Sequence, residues 1–480
     1  MKEILWDEKT VTKVTGGNSN FSWEATGVSF DSRSIKEGDL FVAITDERDG
    51  HQFVRDAFKK GAAAAMVSYI PKDVDEKSPL LLVDDVMKSL VSLATLARKR
   101  SKATIVGITG TAGKTSTKNI TNSLLNIYGK THSSIKSFNN ALGCSITLAT
   151  IPKDAQYVVV EIGTNNLGEI SELSGLVRPD YVIITEVSIG HLEGLKSLKN
   201  ILKEKASICK GQKKNRFALI PSDITLYDSL RKEIIGFGSK PVSFGKKISS
   251  DYRILSSQVS SSGTKTNILL SNGEKASFVI DAVGEHHARN ATSTIALLAL
   301  MDLDINKALP ILANWQPMEG RGEIICINFY KLGRRKRFYL IDESYNANPA
   351  SVNSALDTLI NFSPLEDRKK RNKIRSCRRI AVLGDMLELG RNELKEHKRI
   401  KDLEVFGKVD IVHCVGMRMS SLFNILPEKK RGFWTKTANE MCAKMVKKID
   451  NGDVITVKGS LSMDMKQIIL GLKKLQKVSS

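Results

Sequence analysis

The sequence predicts an α/β protein of three domains, and three observations carry that expectation. Strand-like apolar runs alternate with helix-length amphipathic stretches almost from end to end, the pattern of parallel sheets covered by helices. At 480 residues the chain is too long for one ordinary domain, and domain size suggests roughly three. A glycine-rich turn joins a β-branched run to an amphipathic helix near residue 110, the local form of a phosphate loop. The expected architecture is a small N-terminal α/β domain, a central phosphate-loop domain with a mostly parallel sheet, and a C-terminal Rossmann-like sheet.

The first block, 1–100, contains Gly27 to Ser34, a turn over Lys36 to Asp39, a strand at Leu40 to Ile44 and a helix from Phe53 to Lys60. The second, 101–317, opens with a strand at Thr104 to Thr109. Past the glycine turn, Ile120, Leu124 and Tyr128 recur at the four-residue spacing of one helix face. Tyr157 to Ile162 and Tyr181 to Val187 are apolar and β-branched enough for central parallel strands, and an apolar helix is expected over Thr294 to Ala313. The third block, 318–480, repeats the rhythm with strands at Phe338 to Ile341, Ile380 to Leu383, Ile411 to Val415 and Val454 to Val457.

A composition of 41% apolar and 26% charged residues fits a globular chain rather than a disordered or fibrous one. No run of about 18 apolar residues could span a bilayer, and Met1 to Thr10 carries charges where a signal peptide would be apolar, so a cytoplasmic protein without stable membrane insertion is expected. The six cysteines lie far from zinc-ligand spacing and read as reduced thiols, mostly in cores. A formal charge of +21 favours anionic partners. It gathers at Arg334 to Arg337 and Arg368 to Arg379, where no aromatic residues interleave to stack bases, so solvated faces are expected there and nucleic acid is not.

In Gly107-Ile-Thr-Gly-Thr-Ala-Gly-Lys-Thr-Ser116, glycines let backbone N–H groups turn toward phosphate, and the helix N-terminus adds partial positive charge. Lys114 would neutralise the β and γ phosphates and Thr115 would offer its hydroxyl to Mg2+. Gly107, Thr109, Gly110, Thr111, Ala112, Gly113 and Ser116 complete the expected nucleotide cradle. The strict pattern asks for glycine where Ile108 stands, so Gly110 must make the early turn; a ligand-free strand-to-helix turn is the alternative. Ligands of open parallel sheets sit beyond the carboxyl ends of strands, which aims Glu161 and His191 at the same phosphates as metal ligands.

Taken together, Asp31-Ser-Arg33, Asp49-Gly-His51, Thr109-Gly-Thr-Ala-Gly-Lys-Thr115, Ser137-Phe-Asn-Asn140, Glu161-Ile-Gly163, His191-Leu-Glu193 and Gly284-Glu-His with Asn290 form an ordered series of motifs. Asp342-Glu-Ser-Tyr-Asn-Ala-Asn-Pro349, Leu383-Gly-Asp-Met-Leu-Glu-Leu-Gly390 and Lys458-Gly-Ser460 continue it. Over essentially its whole length the chain resembles the Mur ligases. The resemblance implies ATP-dependent joining of D-Ala-D-Ala to UDP-N-acetylmuramoyl-tripeptide through an acyl phosphate, with domains binding the UDP sugar, ATP and the dipeptide in that order.

It further implies catalytic roles for Lys114, Glu161, His191 and Lys205, with two Mg2+ ions held by Thr115, Glu161, His191 and a carbamylated Lys205. Asn290, Arg321, Asp342 and Asn346 would contact ATP; Ser32, Arg33, Asn139 and Asn140 would contact the substrate; the protein would act as a monomer. Three positions depart from the family: Ser207 stands where glutamate is usual, His287 where asparagine is frequent, and Leu461 where arginine or asparagine is common. Two alternatives differ in what they predict: another Mur-type or folylpolyglutamate-type ligase should lack Tyr345-Asn-Ala-Asn-Pro349, and a basic nucleic-acid-binding ATPase should hydrolyse ATP faster with DNA or RNA.

Overall fold

Three principal sheets organise the chain in the computed structural model, which describes residues 3–75, 77–363 and 377–477. Most of the basic stretch Arg368 to Arg379 therefore lies outside the described residues. The first sheet has the order Asn18–Ser19, Leu80–Leu82, Ala64–Val67, Asp39–Val42, Gly27–Ser29, parallel except at the Asn18–Ser19 edge. Its helix Val86–Arg100 starts where the Asp85 carboxylate accepts the Lys88 N–H, and it buries Leu90, Leu93 and Ala97 in one core with Ile146 and Ala149 of the central region. Trp6, almost wholly buried, seals that junction: its indole N–H donates to the Ala149 carbonyl at 2.9 Å.

The second sheet has nine strands, in the order Lys275–Ile280, Gly263–Leu269, Tyr252–Ser260, Lys240–Gly245, Phe217–Pro221, Tyr181–Ile184, Thr104–Thr109, Tyr157–Glu161, Thr131–Ser133. All neighbours are parallel except the two antiparallel pairs at the Lys275–Ile280 edge. Thr104–Thr109 is central because both its faces are apolar: Ile105 enters the core on one side, and Val106 and Ile108 enter the core on the other. Each such fully buried side chain contributes roughly 1.5–3 kcal/mol. The third sheet, Glu323–Lys331, Arg334–Glu343, Val454–Lys458, Arg379–Gly384, Ile411–Val415, Arg431–Thr435, is parallel except for its first hairpin.

Several elements differ from expectation for local reasons. The apolar stretch Thr294 to Ala313 forms two helices, Glu285–Leu300 and Ile305–Leu312. Asp302 takes a left-handed conformation (φ 55°), and the Asp304 carboxylate caps the second helix on the Asn306 N–H. Helix Lys114–Leu125 ends before Tyr128, whose hydroxyl donates to the Asp304 carbonyl at 2.6 Å. The strand expected to reach Val187 stops at Ile184, because Thr185 turns its hydroxyl onto the Ala112 carbonyl. Cys144, Cys209, Cys326, Cys414 and Cys442 are free thiols, and burial pushes the thiols of Cys144, Cys209 and Cys414 up to about 12.

In the third sheet His413 is buried, accepts the Phe433 N–H on Nδ1 at 2.8 Å, and stacks on the Phe433 ring. Burial, with the Arg378 charge in support, lowers its pKa from 6.5 to about 4. The unfolded chain therefore binds this proton first, and folding stability falls as pH drops from 6.5 to about 4. The contribution to that slope is at most about 1.4 kcal/mol per pH unit. His413→Gln keeps an acceptor for Phe433 without titrating, so urea unfolding across this window should show a flatter pH dependence than the parent; an unchanged slope would contradict the assignment.

Candidate functional site

The carboxyl ends of Thr104–Thr109, Tyr157–Glu161 and Tyr181–Ile184 open onto a cleft of about 310 Å3 whose far wall comes from the third sheet's loops. Residues Thr111 to Ser116 line its floor. Gly110 has φ 151°, and a Cβ there would stand 2.1 Å from the Thr185 hydroxyl and 3.0 Å from the Glu186 nitrogen, so the turn admits glycine alone. Gly113 is left-handed at φ 81° and directly precedes helix Lys114–Leu125. The loop is tied to the neighbouring strand's end: the Thr111 N–H donates to the Glu186 carbonyl, and its hydroxyl donates to the Ser188 carbonyl at 3.1 Å.

Behind the loop, Glu161 is buried at its strand's end and receives the Thr115 hydroxyl at 2.9 Å on one oxygen and the Asn139 amide at 2.8 Å on the other. Ser137 stands 3.1 Å from the Thr115 hydroxyl and also accepts from the Arg321 guanidinium at 2.8 Å. Lys114 donates to the Gly110 carbonyl at 2.8 Å; burial lowers its pKa, and Glu161 opposes that fall. Lys118, buried one turn later, donates to the Ser134 and Lys136 carbonyls and thereby holds the segment that carries Ser137.

Two groups of expected residues arrive here differently. Asn290 and Arg321 line the cleft: the Asn290 amide packs against Gly113, and the Arg321 guanidinium lies 3.9 Å over the Tyr345 ring. Asn346 also lines it, with its carbonyl accepting from Lys458 at 2.8 Å. His191 lines the opposite side, left-handed at φ 52°, with Nδ1 2.5 Å from the Glu388 carboxylate of the third domain. Lys205 is buried behind the floor; burial first and the Lys114 charge second push its pKa well below the usual lysine value. Ser207 donates to the Glu204 carbonyl at 2.7 Å and closes the helix Leu198–Ala206.

The structure does not bring every expected residue to the cleft. Gly107 lies inside its strand, where a Cβ would meet Pro179 and Ile208, and Thr109 is buried beneath the turn; neither lines the opening. Asn140 spends its side-chain oxygen on the Gly143 N–H as a helix cap. Asp342 is fully buried and accepts from the Gly320 N–H and from the Ser344 N–H and hydroxyl, so it shapes the Gly320-Arg-Gly322 turn rather than facing a ligand. Ser32 and Arg33 sit on the first domain, away from this cleft, with Arg33 exposed and paired to Asp31 at 2.8 Å.

Sequence reasoning assigned no role to Ser137, Arg289, Glu343, Asn348 or Lys458, all of which line the cleft. Arg289 pairs with Glu186 at 2.6 Å, and the buried Lys458 sits 3.4 Å from the Glu343 carboxylate. Asn348, a helix cap, also donates to the Thr111 carbonyl at 3.3 Å and so ties the third domain to the phosphate loop. Ser137, Glu343, Asn348 and Lys458 stood inside quoted motifs without a role of their own; Arg289 stood outside them and is recognisable only from the fold. Of the other positions singled out in the sequence, Leu461 lines the cleft, whereas His287 is buried against Trp315 outside it.

The chain matches the model of the Mur ligase middle domain over residues 108–298 and that of the Mur ligase glutamate ligase domain over residues 329–461. It is 31% identical to the UDP-N-acetylmuramoyl-tripeptide D-alanyl-D-alanine ligase of Buchnera aphidicola subsp. Baizongia pistaciae, covering 93% of this chain and 92% of that protein. With the enzyme of the same name from Rickettsia prowazekii it shares 29% identity over 97% of this chain and 99% of that one. Among solved structures, a crystal structure of MurF from Acinetobacter baumannii superposes with a TM-score of 0.81 at 24% identity, covering 98% of this chain and 99% of the other.

Gly110→Ala would force a Cβ into Thr185 and Glu186, whereas Gly273→Ala, left-handed at φ 88° with nothing within 4 Å, carries backbone strain without a clash. Calorimetric titration with ATP should show at least about a tenfold loss of affinity for the first variant and none for the second. Equal affinities in the two would remove the loop from nucleotide binding.

Proposed function

The chain belongs to the Mur ligase family, and from that premise we propose that it joins D-alanyl-D-alanine to UDP-N-acetylmuramoyl-tripeptide at the expense of ATP. The observation that carries this reading is that a phosphate loop and the glutamate ligase domain's side chains share one cleft, stitched by Asn348 to Thr111 and by Arg321 to Ser137. In the reaction, a carboxylate oxygen of the tripeptide attacks the γ phosphorus and ADP leaves. The dipeptide's amine then attacks the acyl carbon and phosphate leaves. Both steps bring anions together, so positioning and charge neutralisation dominate the barrier.

The chain's own residues suit that task. Lys114 and Arg321 bring positive charge to the floor and wall of the cleft, and Lys458 and Arg289 add to it from either side. The Thr115 hydroxyl and the Glu161 carboxylate, 2.9 Å apart, form a hard oxygen pair of the kind Mg2+ takes while keeping water and phosphate ligands. Mg2+, when bound, supplies charge neutralisation across the phosphate oxygens. His191, on the opposite side, is the residue we assign to a second ion. The three blocks 1–100, 101–317 and 318–480 are assigned to the UDP substrate, ATP and the dipeptide; Ser32 and Arg33 are offered for the first of these.

Lys205 is assigned a carbamate. Its surroundings favour the neutral amine, the form that adds CO2 and releases a proton to give an N-carboxylate. That product carries a negative charge beside Lys114, replacing a repulsion with an attraction. We also propose a monomer working in the cytoplasm; among the described residues no helix is long and apolar enough to cross a membrane.

Phosphate release by the purified protein should require ATP, UDP-N-acetylmuramoyl-tripeptide and D-Ala-D-Ala together, and Lys114→Ala should lower the rate by at least about a hundredfold without altering the circular dichroism spectrum. Release stimulated by nucleic acid and indifferent to the peptides would overturn the reading. Lys205→Ala should be inactive and regain activity with added short carboxylic acids; full activity without them would exclude the carbamate.

A further inference from the structure

The segment Leu383-Gly-Asp-Met-Leu-Glu-Leu-Gly390 stands out in the sequence, yet the reaction as described leaves its glutamate without a task. In the fold, Glu388 reaches across from the third domain to His191 of the central domain, Oε2 to Nδ1, at 2.5 Å. We infer that Glu388 is a positioning residue for His191: it accepts the Nδ1 proton of that imidazole and leaves the Nε2 lone pair free toward the cleft. This rests on the ligase reading for its place in the reaction, although the contact itself does not.

Three further observations support it. Both residues are left-handed without being glycine, His191 at φ 52° and Glu388 at φ 63°. Such backbone persists where surrounding contacts over-determine it, and here two such turns face each other across a domain boundary. The turns are also joined through the backbone, the Glu193 N–H donating to the Glu388 carbonyl at 3.1 Å. On its other side the His191 segment is pinned to the phosphate loop by Thr111 and Ser188, and a Cβ on Gly190 would stand 2.7 Å from the Thr111 methyl. The ring therefore hangs between a fixed loop and one carboxylate.

The chemistry follows from the two nitrogens of a neutral imidazole, of which one donates and the other accepts. A carboxylate on Nδ1 settles which, and a ring so held is both oriented and more basic at Nε2. Among the described residues no other side chain is paired with that carboxylate, which leaves His191 as its evident purpose.

Nitrogen-15 NMR of the full chain labelled at histidine, at about pH 8.5 where an ordinary imidazole is neutral, reads the tautomer directly. The His191 signals should show Nδ1 protonated in the parent and in Glu388→Gln, which keeps an acceptor oxygen, and should move to the Nε2-protonated form in Glu388→Ala. In the ligation assay Glu388→Ala should lose about 10- to 100-fold in kcat with little change in KM for ATP, and Glu388→Gln should recover most of it. A wild-type tautomer in Glu388→Ala, or an unaltered kcat, overturns the inference. A parent enzyme that fails to ligate would instead remove the ligase reading, and the NMR comparison would still judge Glu388.

Discussion

One buried carboxylate holds the cleft in its shape. Glu161 ends the strand beside the phosphate loop, accepts the Thr115 hydroxyl and the Asn139 amide, and is the anion that opposes the loss of charge on both Lys114 and Lys118. Buried ammonium groups cost several kcal/mol of desolvation each, and stripping a partner from such a set typically costs about 3–5 kcal/mol. Lys118 in turn fixes the Ser134 to Lys136 carbonyls, so the Ser137 hydroxyl reaches Thr115 and Arg321. Remove the carboxylate, and the loop, the Ser137 segment and the contact to the third domain lose their common anchor. Lys205 lies outside this set: the nearby anions are Glu204 and Glu169, while Lys114 repels it. Glu204 is already committed to the Gly168 and Ile170 N–H groups.

Much of this was legible because it is local. A β-branched strand, a glycine turn and a lysine-threonine pair occupy consecutive residues, and the sheet rule then aims Glu161 and His191 at the same opening. The expected residues that do not line the cleft are explained locally too, for each has another use. Asn140 caps a helix, Asp342 satisfies the Gly320 turn, and Gly107 faces Pro179 within its strand. The antiparallel strands Tyr252–Ser260, Gly263–Leu269 and Lys275–Ile280 went unread because serine, threonine and lysine interrupt their apolar alternation. The contacts that close the cleft could not be read at all. Arg321 and Ser137 are 184 residues apart, Asn348 and Thr111 are 237 apart, and nothing in either segment names its partner.

At the cleft those contacts are polar. There the central and third domains are joined by Arg321 on Ser137, Asn348 on Thr111, the Glu193 N–H on the Glu388 carbonyl and the close contact of Glu388 with His191, and beside the cleft Val283 packs into the third domain's apolar core. Hydrogen bonds of this kind contribute only about 1 kcal/mol net apiece, so they select a docked arrangement without locking it. Substrates that bridge both walls can then add the remaining stabilisation, and water is excluded from the acyl phosphate when the walls meet.

The charge of the whole chain gains a clearer meaning against this geometry. A surplus of +21 invites a nucleic-acid partner, yet the exposed basic hairpin at Arg334 and Arg335 is flanked by Tyr330 and Leu332 at a tip, not by a groove that could track a backbone. Lining the cleft, four cationic side chains, Lys114, Arg289, Arg321 and Lys458, stand against two carboxylates, Glu161 and Glu343, with a third, Glu186, paired to Arg289. Both carboxylates are already engaged, Glu161 with Thr115 and Asn139, Glu343 with Lys458. The net field in the opening is positive where the walls are least hydrated, and there each charge acts through a lower effective dielectric than at the surface. A triphosphate and a peptide carboxylate are the anions such a field can draw into one small volume and hold against their mutual repulsion. The scattered surface lysines add long-range attraction, which salt screens within about 10 Å; Lys458, which is buried, and the half-buried Lys114, Arg289 and Arg321 are screened less.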